Sequence, residues 1–464
     1  MRLRNKLNVK AFCLCTVMAV TPVYATTTDV KADKDSIDLN QMANSSFVSS
    51  ADSMDDWIEN VREAYKLDTW GFKDGGKFFF HAVSPVSQSA MDPNFGTALA
   101  VGYERAWSQL QQDYVTQLAG RMNTEKTQEF YRDASTNARE FESDKAPKSE
   151  MGIFEKMTSL FSKSVDVAES KLDQQLIEMG TDPRDLEKMP VEEKKTLIND
   201  SFLRTSITEA SDQISGLIPI RTKLIIDDAG NATVGVIGVA SPKTRQLAKD
   251  IAMGRESLIT GNHSGDLKDL LPNSDKAFVN EFGVRLVYET NGKPALLSYG
   301  VGSYVPDKSD NYLNGLNKKA AYDSASSFAN AQLAEMVNGR MSLRSQQKIG
   351  DEITKFVKRE VKAGALPMDQ VAKNVINIQQ RTVKASASIN LQGVSDLKRW
   401  NWTSPEGVKF VGVVKKWSYD TLNTVRNFDK PVTSSNSNAS TVKKPSGDTG
   451  YNVQSKSINK LDDF

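Results

Sequence analysis

Cysteine and histidine are almost missing from this chain of 464 residues, which has two of each. Both cysteines, Cys13 and Cys15, lie within the first 25 residues. A chain shorn of that segment has no disulfide framework, no cysteine nucleophile and no thiolate metal site. The histidines, His81 and His263, lie in separate segments, and neither stands at metal-ligand spacing from other donors. A long apolar run is missing too. Beyond residue 25 no stretch approaches the roughly 20 residues needed to cross a bilayer. Nor does one sign of charge dominate. Against 58 Asp and Glu stand 59 Lys and Arg, a balance that argues against a strongly basic nucleic-acid binder. What remains is ordinary globular composition, 39% hydrophobic and 25% charged. At this length it suggests two or three domains, each with a core of its own.

The N-terminus carries an address. Arg2, Arg4, Lys6 and Lys10 precede a short apolar stretch, Ala11 to Val20, and Val23-Tyr24-Ala25 offers small residues for a signal peptidase. This is the pattern of a secretory signal peptide over residues 1–25, cleaved after Ala25. Cleavage removes four basic residues and no acidic ones, so the net charge of +1 becomes negative. Neither cysteine has a small residue before it, as lipid attachment requires, and the expected product is a periplasmic or secreted protein without an acyl anchor. Residues 26–50, rich in Thr, Ser, Asn and Asp, read as a flexible leader. Residues 430–464, almost without apolar side chains, read as a disordered tail.

Between these ends lies an internal repeat. Gly96–Met122 aligns with Gly315–Met341 at an offset of 219, with seven identities in 27 residues, among them Tyr103/Tyr322, Ala106/Ala325 and the triplet Gly-Arg-Met. The same offset lays Phe78–Val86 on Leu297–Val305. A second block, Lys223–Thr244, aligns with Trp400–Thr421 at an offset of 177 and shares Gly230/Gly407, Gly235/Gly412, Ser241/Ser418 and Thr244/Thr421. Two collinear blocks indicate duplication, and the difference in offset indicates an insertion in the first copy. In the second copy, Asn291-Gly292 between apolar runs predicts a β-hairpin. A helix follows, with Ala321, Ala325, Phe328 and Ala329 on one face; its small side chains allow close approach to a sheet. A further helix is predicted over 369–383. A second hairpin turns at Asp228-Ala229-Gly230 in copy one and at Pro405-Glu406-Gly407 in copy two. Ser241-Pro242 and Ser418 then read as helix caps.

The expected fold class is therefore α+β, with two tandem ββ-αα-ββ-α repeats. Each is a mainly antiparallel sheet with helices on one face. The first repeat spans 51–255, a linker 256–284 and the second repeat 285–429. The helical insertion falls at about 142–200. There Ile153, Met157, Leu160, Phe161, Leu172 and Leu176 recur at helical spacing, in a helix that either packs on its own domain or docks on a partner.

The Tyr-[Glu/Asp]-x-Ala-x-Ser helix and the strand followed by a Ser cap resemble the small α+β envelope module of exported bacterial lipoproteins and flagellar outer-ring assembly proteins, here present twice. The resemblance implies a non-enzymatic assembly or scaffolding role in the cell envelope, and carries no catalytic residues with it.

The search for chemistry gives little. His81 sits in a predicted strand and His263 in a loop. Val234–Val239 lacks the three-glycine spacing of a dinucleotide loop, and Asp307–Asn311 lacks the remaining ligands of a calcium loop. Arg121 and Arg340, in the shared triplets, are expected to end corresponding helices, where they complement the helix dipole or bind a common ligand. Trp400, Trp402 and Trp417 cluster in the last hairpin as core or as an aromatic sugar- or peptide-binding face. These five are the candidate interaction residues; no catalytic, cofactor-binding or metal residue is assigned, and no cofactor is expected. The expected function is a non-catalytic exported binding or scaffolding component of an envelope assembly, with an envelope protein as partner and homo-oligomerisation open. The alternative is a periplasmic hydrolase of envelope polymer using Asp227, Asp228 or Glu289, all at predicted turns.

Overall fold

The computed structural model describes residues 53–73, 76–134, 169–261, 266–340, 343–362, 365–387 and 392–427. The expected signal peptide, the leader 26–50, the tail 430–464, His263 and the apolar run Ile153 to Phe161 lie outside the described residues.

Helix α1 spans Met54–Ala64 and is followed by strands β1 (Gly71–Lys73) and β2 (Lys77–Pro85). A long helix, α2, runs Phe95–Ala134. Helices α3 (Glu169–Glu178), α4 (Pro183–Leu186) and α5 (Val191–Asp212) lead to strands β3 (Leu217–Ile226) and β4 (Ala232–Ala240) and helix α6 (Pro242–Ala252). A connection carrying the short helix α7 (Asp275–Phe278) precedes β5 (Gly283–Tyr288), β6 (Pro294–Tyr304) and α8 (Asn311–Ala334). A π-helical turn, Glu335–Arg340, ends α8. Then come α9 (Leu343–Glu360), α10 (Met368–Ala387), β7 (Val394–Thr403), β8 (Lys409–Ser418) and α11 (Tyr419–Asn427).

The strands form two four-stranded antiparallel sheets in the same order, β1-β2-β4-β3 and β5-β6-β8-β7. The chain is thus α+β with two tandem repeats. The second hairpins agree to the residue at the offset of 177. Both carry a β-bulge at the same place, between Pro219 and Arg221 and between Asp396 and Lys398. Both turns close with the same pair of backbone bonds, Gly230 N to Asp227 O and Gly407 N to Ser404 O being one of them. Ser241 and Thr244 form a reciprocal capping box, and Ser418 and Thr421 repeat it. Even a close approach recurs: a Cβ on Gly216 would press on the Arg245 backbone, and one on Gly393 on the Leu422 backbone.

The first hairpins require a correction of one residue. Phe78 pairs with Ala240, whereas Leu296, not Leu297, pairs with Trp417. The structural equivalent of Phe78 is therefore Leu296. A slip of one residue turns every side chain to the other face, so the alignment of Ser84 with Ser303 is accidental. The helices keep the offset of 219. Gly102 lies against Val234, and Ala321 against Gly302, the partner of Val411, at matching places on the two sheets.

Close packing explains why this helix is rich in small residues. Gly300 and Gly302 of β6 face the Ala325 and Ala321 carbonyls, leaving no room for a side chain. On the first sheet α2 instead buries rings: Tyr114 meets Phe78 and Phe80 edge-on. The first sheet's back face is closed by α1, whose Trp57 fills the space over Gly235. On the second sheet Trp400 fills the corresponding space over Gly412 from the neighbouring strand, and stacks on Phe278.

The repeats share one core. Phe95 of α2 meets Phe410 of β8, and Gly96 N donates to Ser303 Oγ at 2.8 Å. Edge strands β3 and β5 are joined through Thr222, which donates to Asn280 O at 2.7 Å and accepts from Phe282 N and Arg285 Nη2. Gly283, at φ +71°, lies under the Tyr103 hydroxyl, where no Cβ fits. The segment expected as a linker is therefore built into the structure: Phe278 and Phe282 are fully buried in it.

Helix α2 packs against α5 and α10, and α9 packs against both of those helices. Helix α10 buries Val371 and Val375, as its periodicity predicts. The described part of the insertion packs on its own repeat. Leu172 and Leu176 of α3 meet Ile198 of α5, and the buried Lys194 pairs with Glu169 and Asp173.

Candidate functional site

The shared Gly-Arg-Met triplets do not end corresponding helices. Helix α2 runs straight through Gly120 and Arg121 to Ala134. A glycine inside a helix costs about 1 kcal/mol, and the packing of α2 along α5 offsets it. Arg121 is half-buried and pairs with Glu125 on the next turn at 2.8 Å. In the second repeat the helix widens into the π-turn. Arg340 is turned inward, 2.5 Å from Glu335, with its guanidinium 5.1 Å from the Trp107 ring centroid. Side-chain exposure is 4% for Arg340 and 15% for Glu335. Such turns are rare and concentrate at functional sites, and removing two charges from water is costly unless both are paired.

A cleft opens on each side of this turn, and each is made by both repeats. One, of about 360 Å³, lies between the end of α6, the turn and α11. Trp417, Val337 and Leu422 give it apolar walls; Glu256, Asn338 and Arg426 add polar groups. Tyr419 stands beside Trp417, its hydroxyl pushed up to about 12 by burial. The loop carrying Glu256 is fixed by Asp250. Burial raises the pKa of this carboxyl, but hydrogen bonds from Ser257, Arg255 and Gln246 outweigh it and hold the group below its usual range.

The other cleft, a groove of about 320 Å³, runs between α2 and α10. Trp107, Gln332 and Glu335 form its floor. Arg105, Ser108 and Gln112 line one bank; Lys373, Asn377, Gln380 and Lys384 line the other. Lys384 pairs with Glu104 at 3.3 Å across one end.

Of the five candidate residues, Arg340 supports the groove floor and Trp417 lines the first cleft. The tryptophans form no common platform. Trp400 and Trp402 lie on the back face of the second sheet, Trp402 against Phe410. Trp417 faces the other way, into the cluster with Leu333 and Met336. Asp227 and Asp228 stand at one hairpin turn and Glu289 at another. Asp227 is held below the usual carboxylate range by Asn231, and Glu289 accepts from Lys416 at 2.8 Å. His81 is a strand residue whose ring lies tilted against Trp70, and burial lowers its pKa. Among the described residues no group of three or more His, Cys, Asp or Glu could hold a metal ion, and no helix is long and apolar enough to cross a membrane. Sequence reasoning missed Arg105 and the α10 stripe. Lys373, Asn377, Gln380 and Lys384 recur at helical spacing, which is also the signature of any solvated helix face.

Residues 157–253 match a family described as a domain of unknown function, DUF6844, a span that covers α3 to α6. No curated protein matches the sequence. The fold is similar to that of a hypothetical protein from Francisella tularensis whose crystal structure was determined at 2.3 Å. The TM-score is 0.51 at 22% identity, over 82% of this chain and 97% of that one. This likeness concerns the fold alone.

Proposed function

We propose that the protein is a non-catalytic, exported binding or scaffolding component of a bacterial envelope assembly, with an envelope protein as its partner. The observation that carries the binding role is the construction of both clefts from both repeats. Ligand sites favour such junctions, and here the duplication supplies two on a single rigid core. Their walls are aromatic rings, amides and long cations, side chains suited to recognition. The export rests on the N-terminal pattern of basic, apolar and small residues. Tagged protein is to be purified from cross-linked envelope fractions. A discrete envelope partner and a mature N-terminus at Thr26 are expected. Hydrolytic turnover of peptidoglycan, abolished by one carboxylate-to-amide change, overturns the non-catalytic part. An intact Met1 on cytoplasmic protein overturns export.

A further inference from the structure

The groove between α2 and α10 has a charge pattern that the fold does not use. Arg105 and Lys373 line it without an ion-pair partner among the described residues. Lys384 is matched by Glu104, and Glu335 in the floor is matched by Arg340. The groove therefore keeps an excess of two positive charges. Unmatched cations at the two ends of a groove leave it a net positive potential, which an elongated anionic ligand spanning both ends would neutralise.

The arrangement also has a length. Lys384 meets Glu104, and Gln112 and Lys373 line the same groove, so the helices run antiparallel. At about 1.5 Å per residue, the banks extend roughly 10–16 Å. Arg105 and Lys384 stand toward one end and Lys373 toward the other. Between them lie Asn377 and Gln380, whose amides can both donate and accept. An extended peptide advances about 3.3 Å per residue, so four or five residues fit. Its backbone amides would meet the central side-chain amides and its carboxylates the terminal cations.

We propose that this groove binds a short acidic peptide segment of a partner protein, four or five residues long. The proposal deepens the binding role above and rests on it. It assigns that role to one groove and one ligand chemistry.

The test uses the full mature protein and fluorescence polarisation with three labelled probes: a pentapeptide of Glu, the same peptide of Gln, and a five-unit oligogalacturonate. Saturable binding of the Glu peptide is expected, at least tenfold tighter than the Gln peptide and weakened by salt. The double variant Arg105→Glu, Lys373→Glu should lose at least tenfold. Lys308→Glu with Lys318→Glu, which changes exposed cations elsewhere, should leave binding unchanged. Both variants should keep the parent circular dichroism spectrum, since all four side chains are exposed. Equal binding of Glu and Gln peptides, equal loss in both variants, or no saturable binding overturns the proposal. Tighter binding of the oligogalacturonate overturns the peptide assignment. If these probes fail while an envelope partner still co-purifies, the groove assignment falls and the binding role stands.

Discussion

The sequence repeat pairs Gly96 with Gly315, yet the same substitution at the two sites should act in opposite directions. In α8 a Cβ on Gly315 would meet nothing within 4 Å. Alanine there removes the backbone-entropy penalty of a helical glycine, about 0.5–1 kcal/mol. In α2 a Cβ on Gly96 would lie 2.6 Å from Ser303 N and 2.9 Å from both Gly302 C and Cα. Ordinary contact for such atoms begins near 3.4 Å. The start of α2 must therefore retreat from the second sheet, against rigid backbone. Overpacking of this kind costs about 1–3 kcal/mol. The retreat also stretches the bond from Gly96 N to Ser303 Oγ, which is worth about 1 kcal/mol. Set against a helix gain of at most about 1 kcal/mol, Gly96→Ala should destabilise by about 2 kcal/mol. The assay is urea unfolding followed by tryptophan fluorescence, comparing midpoints at constant slope. A fall for Gly96→Ala and a rise for Gly315→Ala are expected. Equal stabilisation by both would refute the contact of α2 with β6, and with it the shared core.

Three further outcomes follow from particular contacts. Ser241→Ala and Ser418→Ala each remove one capping box and should cost about 1 kcal/mol apiece, by matching amounts in urea unfolding. Asp250 has a lowered pKa in the folded state, so its stabilisation is present above the unfolded value near 3.9 and lost as pH falls through the folded one. Asp250→Asn should flatten the acid limb of the stability curve and speed amide exchange over residues 253–259; an unchanged acid limb would count against the role given to this carboxylate. Arg340→Met leaves Glu335 buried without its partner and should cost about 3–5 kcal/mol, whereas adding Glu335→Leu should recover most of it. No recovery in the double variant would mean that the pair does more than balance charge.

The legible part of the fold was local. Asn291-Gly292, the turns at Gly230 and Gly407, and the Ser caps each depend on a few adjacent residues, so the hairpins and helix starts could be placed from sequence. The alanine face of α8 likewise announced its close packing. Long-range balance was not legible. Gly120 and Gly339 look alike, but the partners of the helical turn around each, fixed elsewhere in the chain, decide whether the helix continues or opens into a π-turn. The Phe78–Val86 alignment missed by one residue because both strands are apolar on both faces, so alternation did not fix their register. The groove escaped because an exposed polar stripe acquires meaning only when a second one is laid opposite it. Arg340 and Trp417 were named for their surroundings in sequence, and both reached a cleft through packing that the sequence does not display.

The central claim is that partners are bound at the clefts between the repeats. The most direct measurement is site-specific photo-crosslinking in cells, with benzoylphenylalanine at Gln380 in the groove, at Asn423 in the first cleft, and at Ser327 on the exposed face of α8. The account expects a discrete envelope adduct from at least one cleft position and none from Ser327. The same adduct from all three positions, or adducts from Ser327 alone, would contradict it.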